Sequence, residues 1–397
     1  VRQDAVDHAD PVEPDHDRQP ARHGGRLVAA HELVDGRDIG ARDVPSAKVA
    51  RVTAWAVRAV QLPDGDDLDA GITADGRWSA EPPPDAEPLP GRFALPGLVD
   101  AHRHLTVATG EDGFPYAVDV NSARANLDAA RRAGVTTVRD AGSPAGAVLA
   151  LVPDVDGLLV CGRFLAPADR YFPALLPEPV PAEHLVEAAL AELSAGAQWV
   201  KLVADFPHLR DGEFVDNEPT YDLADVERLV AAVHTAGARV AAHTTTRFVA
   251  DLVAAGVDSI EHGTVLDDTD LTRLAARGGA WTPTLCASYP RRGEQDPAFA
   301  EAMRHRLATA VTLGVTIMTG TDVVGTVARE VALLADLGVP PVAALTAAST
   351  GARRFLEVAE AAPDGPVDLV TYHDDPRSDP ALLARPAAVF ARGVRLR

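Results

Sequence analysis

From Leu98 onward, short apolar runs alternate with stretches in which apolar residues recur at helical spacing. The runs read as strands and the stretches as amphipathic helices. Strand candidates cover residues 98–102, 136–140, 158–161, 199–203, 240–243, 259–262, 280–283 and 316–319. Between them fall helix candidates at 121–133, 182–193, 223–236, 246–255, 268–277 and 297–313, and two more, 327–337 and 341–356, follow the last strand. Eight strand–helix units in about 250 residues is the period of a (β/α)8 TIM barrel, an α/β fold with a closed parallel sheet. The steps Gly134-Val135, Gly256-Val257 and Gly314-Val315 fit a helix C-cap that leads into the next strand.

The pattern changes at both ends. Residues 52–60 and 77–79 are β-like and are separated by turns such as Pro63-Asp64-Gly65. Strand-like sequence returns at 367–372, 387–390 and 394–396. Two β-rich ends flanking a barrel predict one composite β-sandwich domain, with parts at 48–95 and 363–397 around a barrel at 96–362. Residues 1–47 contain no Phe, Trp or Tyr and no sustained periodicity, and read as a disordered or non-native extension. The histidines there, His8, His16, His23 and His31, are irregularly spaced and do not read as a metal tail.

Charge narrows the partners. The chain has 37 Lys and Arg against 58 Asp and Glu, a formal net charge of −21. Phosphate binding needs a basic surface, so nucleic acid is excluded and a small-molecule substrate is expected. Cys161 and Cys286 lie far apart and make no disulfide framework. With no long apolar run and no signal-peptide core, the expectation is a cytoplasmic protein without a membrane span, compatible with a homo-oligomer. The lysines number only two, Lys48 and Lys201; every other basic residue is arginine. A lysine inside an apolar strand of such a chain needs a reason.

Barrel enzymes gather their chemistry at the C-terminal ends of the strands. The polar residues found there are His102, His104, Lys201, His243 and His262, with Asp322 just after the last strand. Each follows or interrupts an apolar run. His102 and His104, two apart on a strand, share a face. Histidine and aspartate are zinc ligands as they stand. A lysine ammonium is not, but its neutral amine reacts with carbon dioxide to give a carbamate, an anion able to bridge two metals. Four histidines, a carboxylate and such a lysine make a site for two divalent metal ions, zinc by default, with carbon dioxide as the lysine carbamate.

These residues sit in recognisable stretches. Leu95-Pro96-Gly97-Leu98-Val99-Asp100-Ala101-His102-Arg103-His104 resembles the amidohydrolase superfamily. So do the strand from Gly134 to Gly142, Ile260-Glu261-His262-Gly263 and Thr319-Gly320-Thr321-Asp322. The resemblance runs from about Val52 to the end, and Lys201 between Val200 and Leu202 is similar to the binuclear branch of zinc prolidases (Xaa-Pro dipeptidases). It implies His102 and His104 as ligands of a buried metal and His243 and His262 as ligands of a second. Lys201 would be the carboxylated bridge, and Asp322 both ligand and proton shuttle. The implied activity is hydrolysis of an amide or peptide-like C–N bond, as in a dipeptide or N-acyl amino acid, by a hydroxide bridging two metals. The alternatives are a lactone, carbamate or organophosphate hydrolase, a mononuclear deaminase, or a non-catalytic scaffold.

Two stretches depart from the family pattern. Thr244-Thr245-Thr246-Arg247 lacks the acidic or amide residue that deaminase relatives place after the equivalent of His243, which argues against deamination. Val203-Ala204-Asp205-Phe206 stands where prolidase-like relatives carry glycines, which weakens the case for a proline dipeptide. Arg247, Trp281 and Tyr171 are candidate substrate contacts, Arg139-Asp140 reads as a structural ion pair, and Cys286 reads as packing.

Overall fold

The protein is described from a computed structural model, which describes residues 53–293, 295–358 and 362–397. The extension expected over residues 1–47 lies outside the described residues.

Eight apolar runs form the parallel barrel. Leu98–Arg103 pairs with Val135–Asp140, which pairs with Leu158–Val160. Trp199–Val203, Arg239–Thr244, Ser259–His262, Ala280–Thr282 and Thr316–Ile317 continue it in sequence order. The third strand is in two pieces, because Phe164–Leu165 pairs forward with Trp199–Val203. The ring closes where Ala101 N donates to Thr319 O at 2.8 Å and Asp322 N donates to His102 O at 2.7 Å. Val99, Ala101, Trp199, Ala241, Ala280 and Met318 pack together in a buried core of their own. A larger apolar layer joins the strands to the surrounding helices.

The composite β-domain is built from both sides of the barrel. Trp55–Gln61, Asp66–Ile72, Trp78–Ser79, Glu87–Pro88 and Phe93–Pro96 join Leu369–Tyr372, Ala388–Ala391 and Val394–Arg395 in one hydrogen-bonded sheet. The join is the antiparallel pairing of Phe93–Pro96 with Leu369–Tyr372. Val57, Ile72, Ala94, Leu369 and Phe390 form its core. The strands of the expected small sandwich are hydrogen-bonded in one continuous sheet around a shared core.

Several elements differ from the sequence pattern. The helix expected at 341–356 is two, Pro341–Ala348 and Thr350–Phe355, broken at Ser349, whose hydroxyl donates to Pro96 O at 2.8 Å. The helix expected at 246–255 starts only at Val249, because the threonines before it are held elsewhere. A hairpin of Asp205–Arg210 and Glu213–Pro219 follows the Lys201 strand. Its turn is Asp211-Gly212, with φ of 51° and 83°, the left-handed pair of a two-residue hairpin turn. No helix among the described residues is long and apolar enough to cross a membrane.

Candidate metal centre

The first barrel strand delivers two histidines through a bulge. Asp100 pairs with Val138 and Arg103 with Asp140, so this strand carries one extra residue between those pairs. A bulge re-aims side chains. Val99 and Ala101 pack in the barrel core, while His102 and His104 meet at the mouth with Nε2 atoms 3.3 Å apart. Arg103 goes elsewhere and donates to Thr321 Oγ1 at 3.0 Å.

The hydrogen bonds fix both tautomers. His102 Nδ1–H donates to Glu261 Oε2 at 2.6 Å, and His104 Nδ1–H donates to Gly142 O at 2.8 Å. A carboxylate and a carbonyl only accept. Both Nε2 atoms therefore carry lone pairs. Burial, reinforced by Lys201, holds the His102 imidazole well below its ordinary pKa and that of His104 down to about 3. Two lone pairs thus face each other, a repulsive arrangement that a cation relieves. Ligands of tetrahedral zinc at about 2.0–2.1 Å stand about 3.3 Å from one another. The donor set fits such an ion, and the ligand atoms of His102, His104 and Asp322 all lie within 4.8 Å of one another. Asp322 Oδ1 is 3.5 Å from His104 Nε2, and the Asp322 side chain keeps 21% of its surface exposed.

The other three residues adjoin this group. Lys201 Nζ donates to His102 Nε2 at 3.4 Å, and burial lowers the Lys201 pKa. The His262 ring lies 5.0 Å from His102 and 4.5 Å from His243. His262 Nδ1 donates to Thr284 Oγ1 at 2.6 Å, and that hydroxyl donates onward to Pro283 O at 2.8 Å. Burial drives the His262 pKa well down and brings that of His243 to about 4. His262, Thr284 and Asp322 all have left-handed φ, at 65°, 47° and 58°. Non-glycine residues hold that region only where the surroundings compel it. At Gly320, before Asp322, a Cβ would stand 2.6 Å from the Cβ of His102, so only glycine lets the chain pass.

The supporting residues were hidden in sequence. Arg139 pairs with Glu261 at 2.6 Å, both fully buried, and not with Asp140. Asp140 instead accepts from Leu105 N at 2.8 Å and Gly142 N at 3.1 Å, tying together the turns after the first two strands. Asp205 accepts from the Thr244 hydroxyl, from Thr245 N at 2.9 Å and from the Thr246 hydroxyl at 2.9 Å. The two departures from the family pattern are therefore one device that fixes the chain after His243. Fully buried Trp281 donates to His262 O at 2.8 Å, which makes it a support for His262 rather than a substrate contact. Arg247 is tied to Asp270 at 2.8 Å and Asp267 at 3.0 Å, away from the cluster. Tyr171 stays beside the site, in an aromatic group with Phe164 and Phe206. Cys161 and Cys286 are buried free thiols.

A closed parallel barrel with neutral histidines and a carboxylate converging at its mouth is the architecture of a barrel hydrolase. The pattern of the amidohydrolase family matches residues 93–362. The chain belongs to that family and is a hydrolase of its superfamily. An uncharacterised protein of Mycobacterium tuberculosis is 34% identical over 357 residues, covering 85% of this chain and 94% of that protein. Among solved structures, a Xaa-Pro dipeptidase with methionine bound in its active site is 20% identical, with a TM-score of 0.72, over 86% of this chain and 99% of that one. A putative prolidase from Bifidobacterium longum is 25% identical, with a TM-score of 0.68, over 87% and 94%.

Proposed function

We propose that this protein hydrolyses a carbon–nitrogen bond of a small molecule with two divalent metal ions held at the barrel mouth. The observation that carries the reading is the pair of facing lone pairs on His102 and His104, 3.3 Å apart. Asp322 would complete that group, His243 and His262 would serve the second position, and Lys201, 3.4 Å from His102 Nε2, would join the two. Bound metal ions supply a Lewis acid and an activated water at neutral pH.

The chain's own residues do the rest. Glu261 and Arg139 lock the His102 imidazole with its Nε2 toward the centre. Burial lowers the Lys201 pKa and so shifts it toward the neutral amine, whose Nζ would bond to the carbon of carbon dioxide and lose a proton to give a carbamate anion, able to help hold the metal ions. Burial raises the Asp322 pKa, which suits a carboxylate that accepts a proton from water and returns it to the leaving amine. Its partial exposure lets it meet that amine.

The test is metal content and turnover on one sample, against a library of amides, dipeptides and N-acyl amino acids. Protein purified without chelator holds about two metal equivalents. Asp322→Asn keeps most of the metal while turnover falls roughly 10²–10⁴-fold. Full activity with one equivalent overturns the two-metal reading, and near-normal turnover of Asp322→Asn overturns the proton assignment.

A further inference from the structure

The mouth is bordered by an unbroken aromatic arc. The Phe164 ring lies 5.2 Å from His104, Tyr171 lies 4.9 Å from Phe164 and 4.9 Å from Phe206, and Phe206 lies 5.7 Å from His243. The arc thus joins one histidine pair to the other. Phe172 and Phe214 extend it outward and are only partly buried. Within it the Tyr171 hydroxyl has no hydrogen-bond partner among the described residues. Burial and the negative charge of Asp322 push its pKa up, so it remains a neutral donor.

Charge around the mouth is already committed. Arg139 is paired with Glu261, and Arg103 with Asp100 and Thr321. Arg170 donates to Phe206 O at 2.9 Å and Pro219 O at 3.1 Å, and Arg247 is held by two aspartates. Arg139 Nη1 and Arg103 Nε have no partner but are buried, so among the described residues these four arginines are held chiefly by the protein itself. Recognition of a substrate carboxylate calls for a cation with free donors. A carboxylate laid on this arc would exchange its water for a single neutral hydroxyl and no cation, whereas an apolar or aromatic group gains packing and ring contacts.

We propose that the site takes an uncharged substrate, an amide or carbamate with an apolar or aromatic group seated on the Tyr171 arc and a polar oxygen accepting from the Tyr171 hydroxyl. Free dipeptides and N-acyl amino acids are then poor substrates. The proposal rests on the hydrolase reading above and narrows it.

The test uses metal-loaded protein and pairs that share one scissile amide: N-benzoylglycine with N-benzoylethanolamine, and N-benzoylphenylalanine with N-benzoylphenylalaninol. The uncharged member of each pair should have the higher kcat/KM, by at least about tenfold. Tyr171→Phe should lower that value about fivefold with metal content unchanged, and Tyr171→Arg should move the preference toward the carboxylates. Equal or better turnover of the carboxylates overturns the proposal and leaves the hydrolase reading standing. Thermal shift decides if no pair is hydrolysed. Stabilisation by the uncharged members that disappears in Tyr171→Ala supports the arc and counts against the proposed carbon–nitrogen hydrolysis instead, and no stabilisation at all overturns the proposal.

Discussion

The two histidine pairs reach the same mouth by different physics. His102 and His104 come from one strand, through a bulge, and are backed by a carboxylate in a buried ion pair and by a main-chain carbonyl. His243 and His262 come from neighbouring strands; His262 leans on a threonine hydroxyl and on left-handed backbone, and His243 on a strand end clamped by Asp205. A buried ion pair orients His102, and His104 leans on a carbonyl. The second pair relies on hydroxyl and main-chain hydrogen bonds to Thr284 and Asp205 and on left-handed backbone, with no buried ion pair behind either ring among the described residues. A buried charge that loses its partner costs far more than a neutral hydrogen bond that is lost, so the first pair should be the brittle one.

The largest effect should follow Glu261→Ala, which strands the fully buried Arg139 guanidinium. Chemical denaturation should show a loss of about 3–5 kcal/mol; a loss comparable to that of a threonine on the other side would erase the contrast. Next comes the pH dependence of metal-stripped protein. Unfolded His104 takes up a proton near pH 6.5 and the folded residue refuses one down to about 3, so its contribution to stability shrinks as pH falls through that window. Replacing it, as His104→Gln, should flatten the stability–pH curve by about 1.4 kcal/mol per pH unit there. An unchanged slope would mean that the imidazole titrates normally in the fold. The smallest effect belongs to Thr284→Val, which keeps the shape and deletes the acceptor. Stability should fall by about 1 kcal/mol, and competition with a chelator should show metal held roughly tenfold less tightly. A larger penalty than that of Glu261→Ala would reverse the ranking of the two pairs.

What could be read from the chain follows from how far apart the partners lie. The barrel strands were legible because each is a compact apolar run, and the six candidate residues because each is a polar group that interrupts or follows one. Glu261 sits beside His262, but its partner Arg139 lies on a strand far away in sequence, where the neighbouring Asp140 offers the more obvious local match. Asp205 and the three threonines are separate departures along the chain, and only the fold joins them. The Asp211-Gly212 turn was a local signal that alternation in Phe206–Leu209 and Phe214–Val215 did not make obvious. The break at Ser349 had no local mark, since it answers to a carbonyl at Pro96.

The β-domain carries a consequence for synthesis. Phe93–Pro96 finds its antiparallel partner about 270 residues further on, at Leu369–Tyr372. At roughly 5–20 residues per second a ribosome needs tens of seconds to deliver it. Throughout that interval the growing chain holds an open strand edge just upstream of the His102 strand. Nascent chains are then most open to chaperones and to mispairing before the second half of the sheet emerges, and a pause in translation late in the barrel prolongs that exposure.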